Sequence, residues 1–433
     1  SDWFVFLVQG DAIACIFCPF IPVIGAFQMR SIQSNPNFQR RTLLLGMVGS
    51  VVQLSGCGGG GSDVAGLSSG GTGSFTSGTI SGLGSIIVNG IRYDDTNANK
   101  ISRDDDTSFS GDLRVGMVVS IQGSPVVAAT TANGTATATA YRISCGSEWE
   151  GPVSSVNVGA SSFVMLGLTV DVLTSTVFEG AAVTQLSALN VSHFVEVHGY
   201  VDQTTGHLQA TRVEASTTQP AHYKLSGVVN SFDGVQHTFK LGLVAQPSSQ
   251  INWVDNANTT VPSSWGDGVF VRVTMTSTLQ ATKVRLLTSP MAQLNAEDEH
   301  DAEIHGFIST YTSNADFIVN GIPVDASNAR LSGGTLRVGV RVEIHGSISN
   351  GVLVATKVET PSNTDVATRE FEFHGTVSNW NSGAQSFDLH GLTFAYNGST
   401  NMHGITLANG LSLELKATRA SGGWLVKEIQ LDD

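Results

Sequence analysis

The tetrad Glu-x-His-Gly occurs four times, with Glu196 and His198, Glu303 and His305, Glu343 and His345, and Glu372 and His374 at its first and third positions. On an extended strand, residues two apart share a face about 6.6 Å apart, so each pair presents a carboxylate beside an imidazole. That donor set suits Zn or Cu. One pair supplies only two ligands, however, and the pairs read as lying in separate domains at two phases of a repeated unit. Glu303/His305 and Glu372/His374 open a unit, whereas Glu196/His198 and Glu343/His345 precede its last strand. The simpler reading is polar alternation on exposed strands, with no metal and no cofactor expected.

Other reactive residues point the same way. Cys145 has no histidine beside it in sequence and reads as a small apolar residue at a strand end. The acidic runs Asp104-Asp105-Asp106 and Glu297-Asp298-Glu299-His300-Asp301 lack the spacing and glycine of a calcium loop and read as solvated charge. Trp149, Trp253, Trp265, Trp380 and Trp424 offer stacking platforms for sugars or bases, although a tryptophan in a small barrel more often fills the core. There is no His-Glu-x-x-His, no phosphate-cradling loop with its lysine, and no Gly-x-Ser-x-Gly between a strand and a helix. No enzyme motif is present, although a glycosidase-like pair of carboxylates can assemble in space without leaving a sequence trace.

The elements that position these residues are strands. Charged residues make up 13% of the 433 residues, well below the roughly 25% of an average soluble domain, while 48 are glycine, which favours strands and turns over helices. A Gly-x-[Val/Ile] start recurs at Gly78, Gly151, Gly227, Gly306 and Gly375. It is followed by blocks such as Phe317-Ile318-Val319-Asn320-Gly321 and Phe387-Asp388-Leu389-His390-Gly391. A third block, Leu336-Arg337-Val338-Gly339 through Gly346, leads to a closing Leu353-Val354-Ala355-Thr356-Lys357-Val358-Glu359. Each alternates apolar and polar residues, the period of a half-buried strand. The spacing predicts an all-β chain of five tandem small OB-like β-barrel domains, over residues 75–145, 146–216, 222–288, 300–361 and 369–433. The polar stretches Ser216 to Ala221, Thr288 to Glu299 and Thr360 to Thr368 read as linkers or short spacers.

Residues 29–57 read as an export signal. Arg40 and Arg41 precede an apolar run too short to span a bilayer, which ends at Leu54-Ser55-Gly56-Cys57. The arginine pair resembles a twin-arginine signal, and the last four residues resemble a bacterial lipobox, which implies lipidation and membrane anchoring at Cys57. Residues 58–74 read as a Gly/Ser tether. Residues 1–28, which contain Cys15-Ile16-Phe17-Cys18, read as an over-extended start. Glycine rather than aspartate after the lipobox cysteine favours, by analogy, the outer membrane over inner-membrane retention.

The four blocks in this order resemble a family of repeated OB-like domains common in bacterial lipoproteins and catalogued as a domain of unknown function. The likeness spans residues 75–433 and implies fold and envelope location, outer membrane or periplasm, but no activity. The expectation is a lipid-anchored envelope protein, a non-catalytic tandem binding or scaffolding array gaining avidity from several modules. Its partner would be a neutral glycan or a protein. The rivals are a purely structural envelope spacer and a metal-binding or hydrolytic envelope protein. A net charge of -14 repels a phosphate backbone and argues against the nucleic-acid role that an OB barrel alone would suggest, so no nucleic acid is expected as a partner.

Overall fold

Alternation along the fourth strand of the fourth repeat is matched by its burial, whereas Ser74–Leu83 and Val118–Gly123 are buried on both faces where barrels meet. In Arg341–Ser349, Val342 and Ile344 are fully buried while Glu343 and His345 on the opposite face are half-buried. A computed structural model describes residues 73–104, 107–130, 134–254, 258–287, 289–296, 298–362, 369–420 and 422–432. Cys57, Arg40 and Arg41, with the whole signal and tether region through residue 72, lie outside the described residues.

The described chain forms five small closed barrels of OB type. In barrel four the first strand (Asp301–Ser313) pairs antiparallel with the second (Asp316–Val319), which pairs with the third (Ile322–Asp325). The third pairs in parallel with the fifth (Val352–Glu359), and the fourth (Arg341–Ser349) closes the circle between fifth and first. The same closure recurs in barrel one (Ser74 to Cys145), barrel two (Trp149 to Ser216) and barrel three (Tyr223 to Leu286). Barrel five (Phe371 to Leu431) follows it too, with its first strand broken at Val377.

Two of the repeated blocks are coupled by one contact. The second and third strands of barrel four are joined by Asn320-Gly321, both with positive φ (52° and 77°), a two-residue turn of the twisted-hairpin kind. The Asn320 side chain folds back over the first strand and donates from Nδ2 to the His305 carbonyl at 2.8 Å. A Cβ at position 306 would lie 2.3 Å from Asn320 Nδ2, so any larger residue there displaces the Asn320 amide from its bond. This ties the Gly-x-[Val/Ile] block to the x-Gly block that follows it. The glycine of Glu-x-His-Gly before a last strand has another cause: the chain bulges between His345 and Gly346, and a Cβ at 346 would meet the Val354 carbonyl at 2.2 Å.

The barrels are not strung out on linkers. All described residues belong to one compact unit. The first strand of barrel one (Ser74–Leu83) pairs in parallel with that of barrel four from Ser74↔Asp301 to Ser77↔Ile304, and its far end pairs with barrel five at Gly82↔Glu372 and Leu83↔Phe373. Buried residues of barrels two and three form one continuous apolar cluster. The expected spacer at 288–299 contains a short helix, Pro290–Leu294, whose Met291 and Leu294 are buried in the core of barrel four. Its apolar residues, three apart, outweigh the polar average that suggests a linker.

Charged side chains hold the barrels together. Arg272 of barrel three, 3% exposed, reaches Asp104 of barrel one at 2.7 Å and Glu148 at the start of barrel two at 3.2 Å. Arg103 also pairs with Glu148 at 2.8 Å, and Lys224 bridges Asp104 and Glu150 at 2.9 and 2.8 Å. Asp104 is therefore an inter-barrel anchor and not solvated charge, while Asp105 and Asp106 lie outside the described residues. In the second acidic run Glu299 and Asp301 are buried, and Glu299 accepts from Gln122 at 3.2 Å. Glu297 lies outside the described residues. Sequence alone makes both runs look solvated because their partners, such as Arg272 for Asp104, Gln122 for Glu299 and Asn350 for Asp298, are about fifty to nearly two hundred residues away.

Candidate functional site

Two of the Glu-x-His motifs meet. The first and fourth strands of barrel four run antiparallel with Glu303 opposite His345 and His305 opposite Glu343, so both pairs lie in one domain, not in separate ones. His305 Nε2 lies 3.0 Å from Glu303 Oε1, its Nδ1 lies 3.8 Å from Glu343, and His345 Nδ1 lies 3.6 Å from the other Glu303 oxygen. Burial pushes the Glu303 carboxyl up to about 7, against the opposing pull of His345 and Lys357. It pushes the His305 imidazole down to about 4. The pair is therefore a neutral acid beside a neutral ring over much of the range below pH 7.

Barrel five carries the equivalent positions. Glu372 and His374 lie on its first strand, and the register sets Glu414 opposite His374 and Lys416 opposite Glu372. Glu372, His374 and Glu414 each offer one ligand atom within 4.8 Å of the others. His374 Nε2 lies 2.8 Å from Glu372 Oε1, and Nδ1 lies 2.7 Å from Asp432 and 3.1 Å from Arg92 of barrel one. Thr135 of barrel one donates to Glu372 Oε1 at 2.6 Å. Burial opposes charge on His374, but its bonds to Glu372 and Asp432 win and hold its pKa above the ordinary value. Glu414 is raised by burial and by the like charge of Glu372.

The fourth motif stands apart. His198 in barrel two is 2% exposed, neither ring nitrogen has a hydrogen-bond partner among the described residues, and Glu196 stays 3.7 Å away. Burial, then the neighbouring Arg212 charge, pushes its pKa down to about 3. The exposed-strand reading therefore fails for His198, His305 and His374, all buried where barrel faces meet other barrels or the charged seam.

The clefts lie between barrels. One of about 360 Å³ separates barrels one, four and five and is lined by His305, Glu343, Glu372, Arg369, Lys416 and Asn89. Another, of about 340 Å³, lies where barrels one to four meet, with Tyr200, Phe270, Phe307 and Ile318 beside the polar Gln203 and Asn320. The tryptophans do not build these two clefts, but Trp424 lines a third, of about 530 Å³, between barrels one, two and five. Trp149, Trp253 and Trp424 are buried in barrel cores, and Trp265 and Trp380 are half-buried. Trp265 packs edge-on against Phe239 with ring centroids 4.9 Å apart. Sequence reasoning does not single out Glu414, Asp432, Tyr200 or Phe270. Glu414 has one available signal, its place in the fourth strand of the repeat, opposite the motif histidine.

Comparison with known proteins agrees with this repeat structure. A family described as a domain of unknown function (DUF5666) matches three segments, residues 150–214, 305–359 and 374–430, which fall in barrels two, four and five. No curated protein matches the chain. Among solved structures, one described as Drosophila Unr CSD456 is similar at 11% identity, covering 50% of this chain and 98% of that one, with a TM-score of 0.13.

Proposed function

We propose that this chain is a non-catalytic binding protein of the bacterial cell envelope, lipid-anchored at Cys57, whose barrels one to four together bind a neutral glycan. The observation that carries the reading is the cleft where barrels one to four meet. Its walls combine the half-buried ring of Phe270 and the edges of the buried Tyr200 and Phe307 with the amides of Gln203 and Asn320 and the paired charges of Arg103 and Glu148. Aromatic faces beside a few amide donors and acceptors suit a sugar, which pairs apolar C–H faces with a rim of hydroxyls. Binding resides in this composite cleft and not in five independent modules, because the barrels share strand edges and ion pairs. The acidic balance of -14 disfavours polyanions.

Isothermal titration with neutral oligosaccharides, N-acetylglucosamine oligomers and glucans, tests the reading. Binding weakened at least tenfold by Phe270→Ala is expected. Absence of heat for every sugar, or binding indifferent to that change, overturns it. The anchor is tested separately: Cys57→Ser should move the protein from the membrane fraction to the soluble fraction.

A further inference from the structure

We propose that Glu372, His374 and Glu414 of barrel five form a binding site for a divalent transition metal of the Zn(II) class. The donors come from two neighbouring antiparallel strands: Glu372 and His374 share a face of Phe371–Thr376, and Glu414 stands opposite His374 on Ser412–Ala420. Their ligand atoms lie within 4.8 Å of one another. Tetrahedral bonds of about 2.1 Å put zinc ligands about 3.4 Å apart, so side-chain shifts of about 1 Å, which open the short His374–Glu372 contact and draw Glu414 in, bring the set to that spacing.

The outer contacts are those a metal-bound histidine needs. Such a histidine gives its second N–H to a carboxylate or carbonyl, which fixes the ring and its tautomer. His374 Nδ1 has Asp432 Oδ1 at 2.7 Å and Arg92 at 3.1 Å; in the tautomer that gives the Nδ1 proton to Asp432, Arg92 pairs only with that carboxylate, 3.6 Å away. Nε2 is then the ligand atom. It now faces Glu372 Oε1 at 2.8 Å, the place a proton holds and a cation would take. Glu372 is itself oriented by Thr135 at 2.6 Å. Glu372 also lines the cleft between barrels one, four and five, so a fourth ligand, water or solute, has a route in.

Barrel four provides the contrast. At the matching positions Glu303, His305 and Glu343, the ring turns Nε2 to one carboxylate and Nδ1 to the other, at 3.0 and 3.8 Å. The two carboxylates therefore lie on opposite sides of the ring and cannot converge on one cation, and among the described residues the ring has no further carboxylate in the role of Asp432.

The test is Zn(II) and Mn(II) titration of the full chain by calorimetry, with Co(II) absorption as a second readout. The wild type should bind one more equivalent of Zn(II) than Glu414→Gln, more tightly than Mn(II). Co(II) should give visible bands of a four-coordinate site that are lost in Glu414→Gln and kept in Glu343→Gln. Glutamine keeps the shape of Glu414, and far-ultraviolet circular dichroism checks that each variant is folded. Equal stoichiometry and spectra in wild type and Glu414→Gln, or equal loss in Glu343→Gln, would overturn the site and leave His374 as a ring hydrogen-bonded between Glu372 and Asp432.

Discussion

Burial decides what individual ionisable residues can do, and Glu303 shows it most directly. Its folded-state pKa is raised from 4.5 to about 7. A raised carboxyl contributes stability that is fully present below the unfolded value and lost as pH rises through the folded one, so the Glu303 contribution disappears between about pH 4.5 and 7. That shift corresponds to roughly 3 kcal/mol. His305 works in the opposite direction: its pKa is depressed to about 4, so its contribution is present above the unfolded value of 6.5 and lost as pH falls towards 4. His345, Lys357, Glu359 and Glu343 face the pair, and Tyr93 lies across the barrel-one junction. Glu303→Gln removes only the first slope. Its stability relative to wild type, measured by urea denaturation, should therefore rise by up to about 3 kcal/mol from pH 4.5 to 7.5; a flat difference would show that Glu303 titrates normally. Cys145 is a second case. Burial raises its pKa to about 12, and it ends its strand fully buried. Native protein at pH 8 should leave Cys145 unmodified by iodoacetamide in peptide mass spectrometry, with labelling only in denaturant. Its inert character is legible from sequence because no activating residue lies beside it. The pairing of His305 with Glu343 is not, because the partners are 38 residues apart in sequence and adjacent only through strand register.

At the scale of elements, the strands and turns are legible because each carries its own signal. The two-residue periodicity marks the buried face, and Asn320-Gly321 supplies the positive φ angles a tight hairpin needs. The glycine bulge is also local: Gly346 sits where a Cβ would meet the Val354 carbonyl at 2.2 Å. Gly346→Ala must move that strand or open the bulge, and should cost about 2 to 4 kcal/mol of folding free energy, read from urea denaturation. At Gly351 a Cβ would find open space within 4 Å but a φ of 73°, so alanine there should lose only the smaller cost of a left-handed residue, roughly 1 kcal/mol. Equal losses at the two positions would refute the close-contact account. The helix Pro290–Leu294 escapes sequence reasoning for a physical reason: five residues cannot form a stable helix alone, and this one exists because Met291 and Leu294 enter another element's core.

At the scale of the whole molecule, the number and kind of barrels can be read from the repeats, but their association cannot. The contacts that join them link residues such as Arg272 and Asp104, separated by 168 positions, and follow no period. Such ion pairs favour the assembled state only when every partner is present, since a buried charge stripped of its counter-ion is far more costly than a neutral residue. Glu148 is held by Arg103 at 2.8 Å, Arg272 at 3.2 Å and the Ser226 hydroxyl at 2.6 Å, and these contacts depress its pKa despite burial. Arg272→Met leaves Asp104 to Lys224 and weakens the hold on Glu148, so it should destabilise the protein by about 3 to 5 kcal/mol. The loss should fall on cooperativity as well as on stability, because the same side chain ties barrels one, two and three. In differential scanning calorimetry the wild-type barrels should melt together, whereas Arg272→Met should split off an earlier transition for barrels two and three, which share one apolar cluster. A uniform downward shift of a single peak would mean that strand pairing between barrels one, four and five, and not the charged seam, sets the cooperative unit.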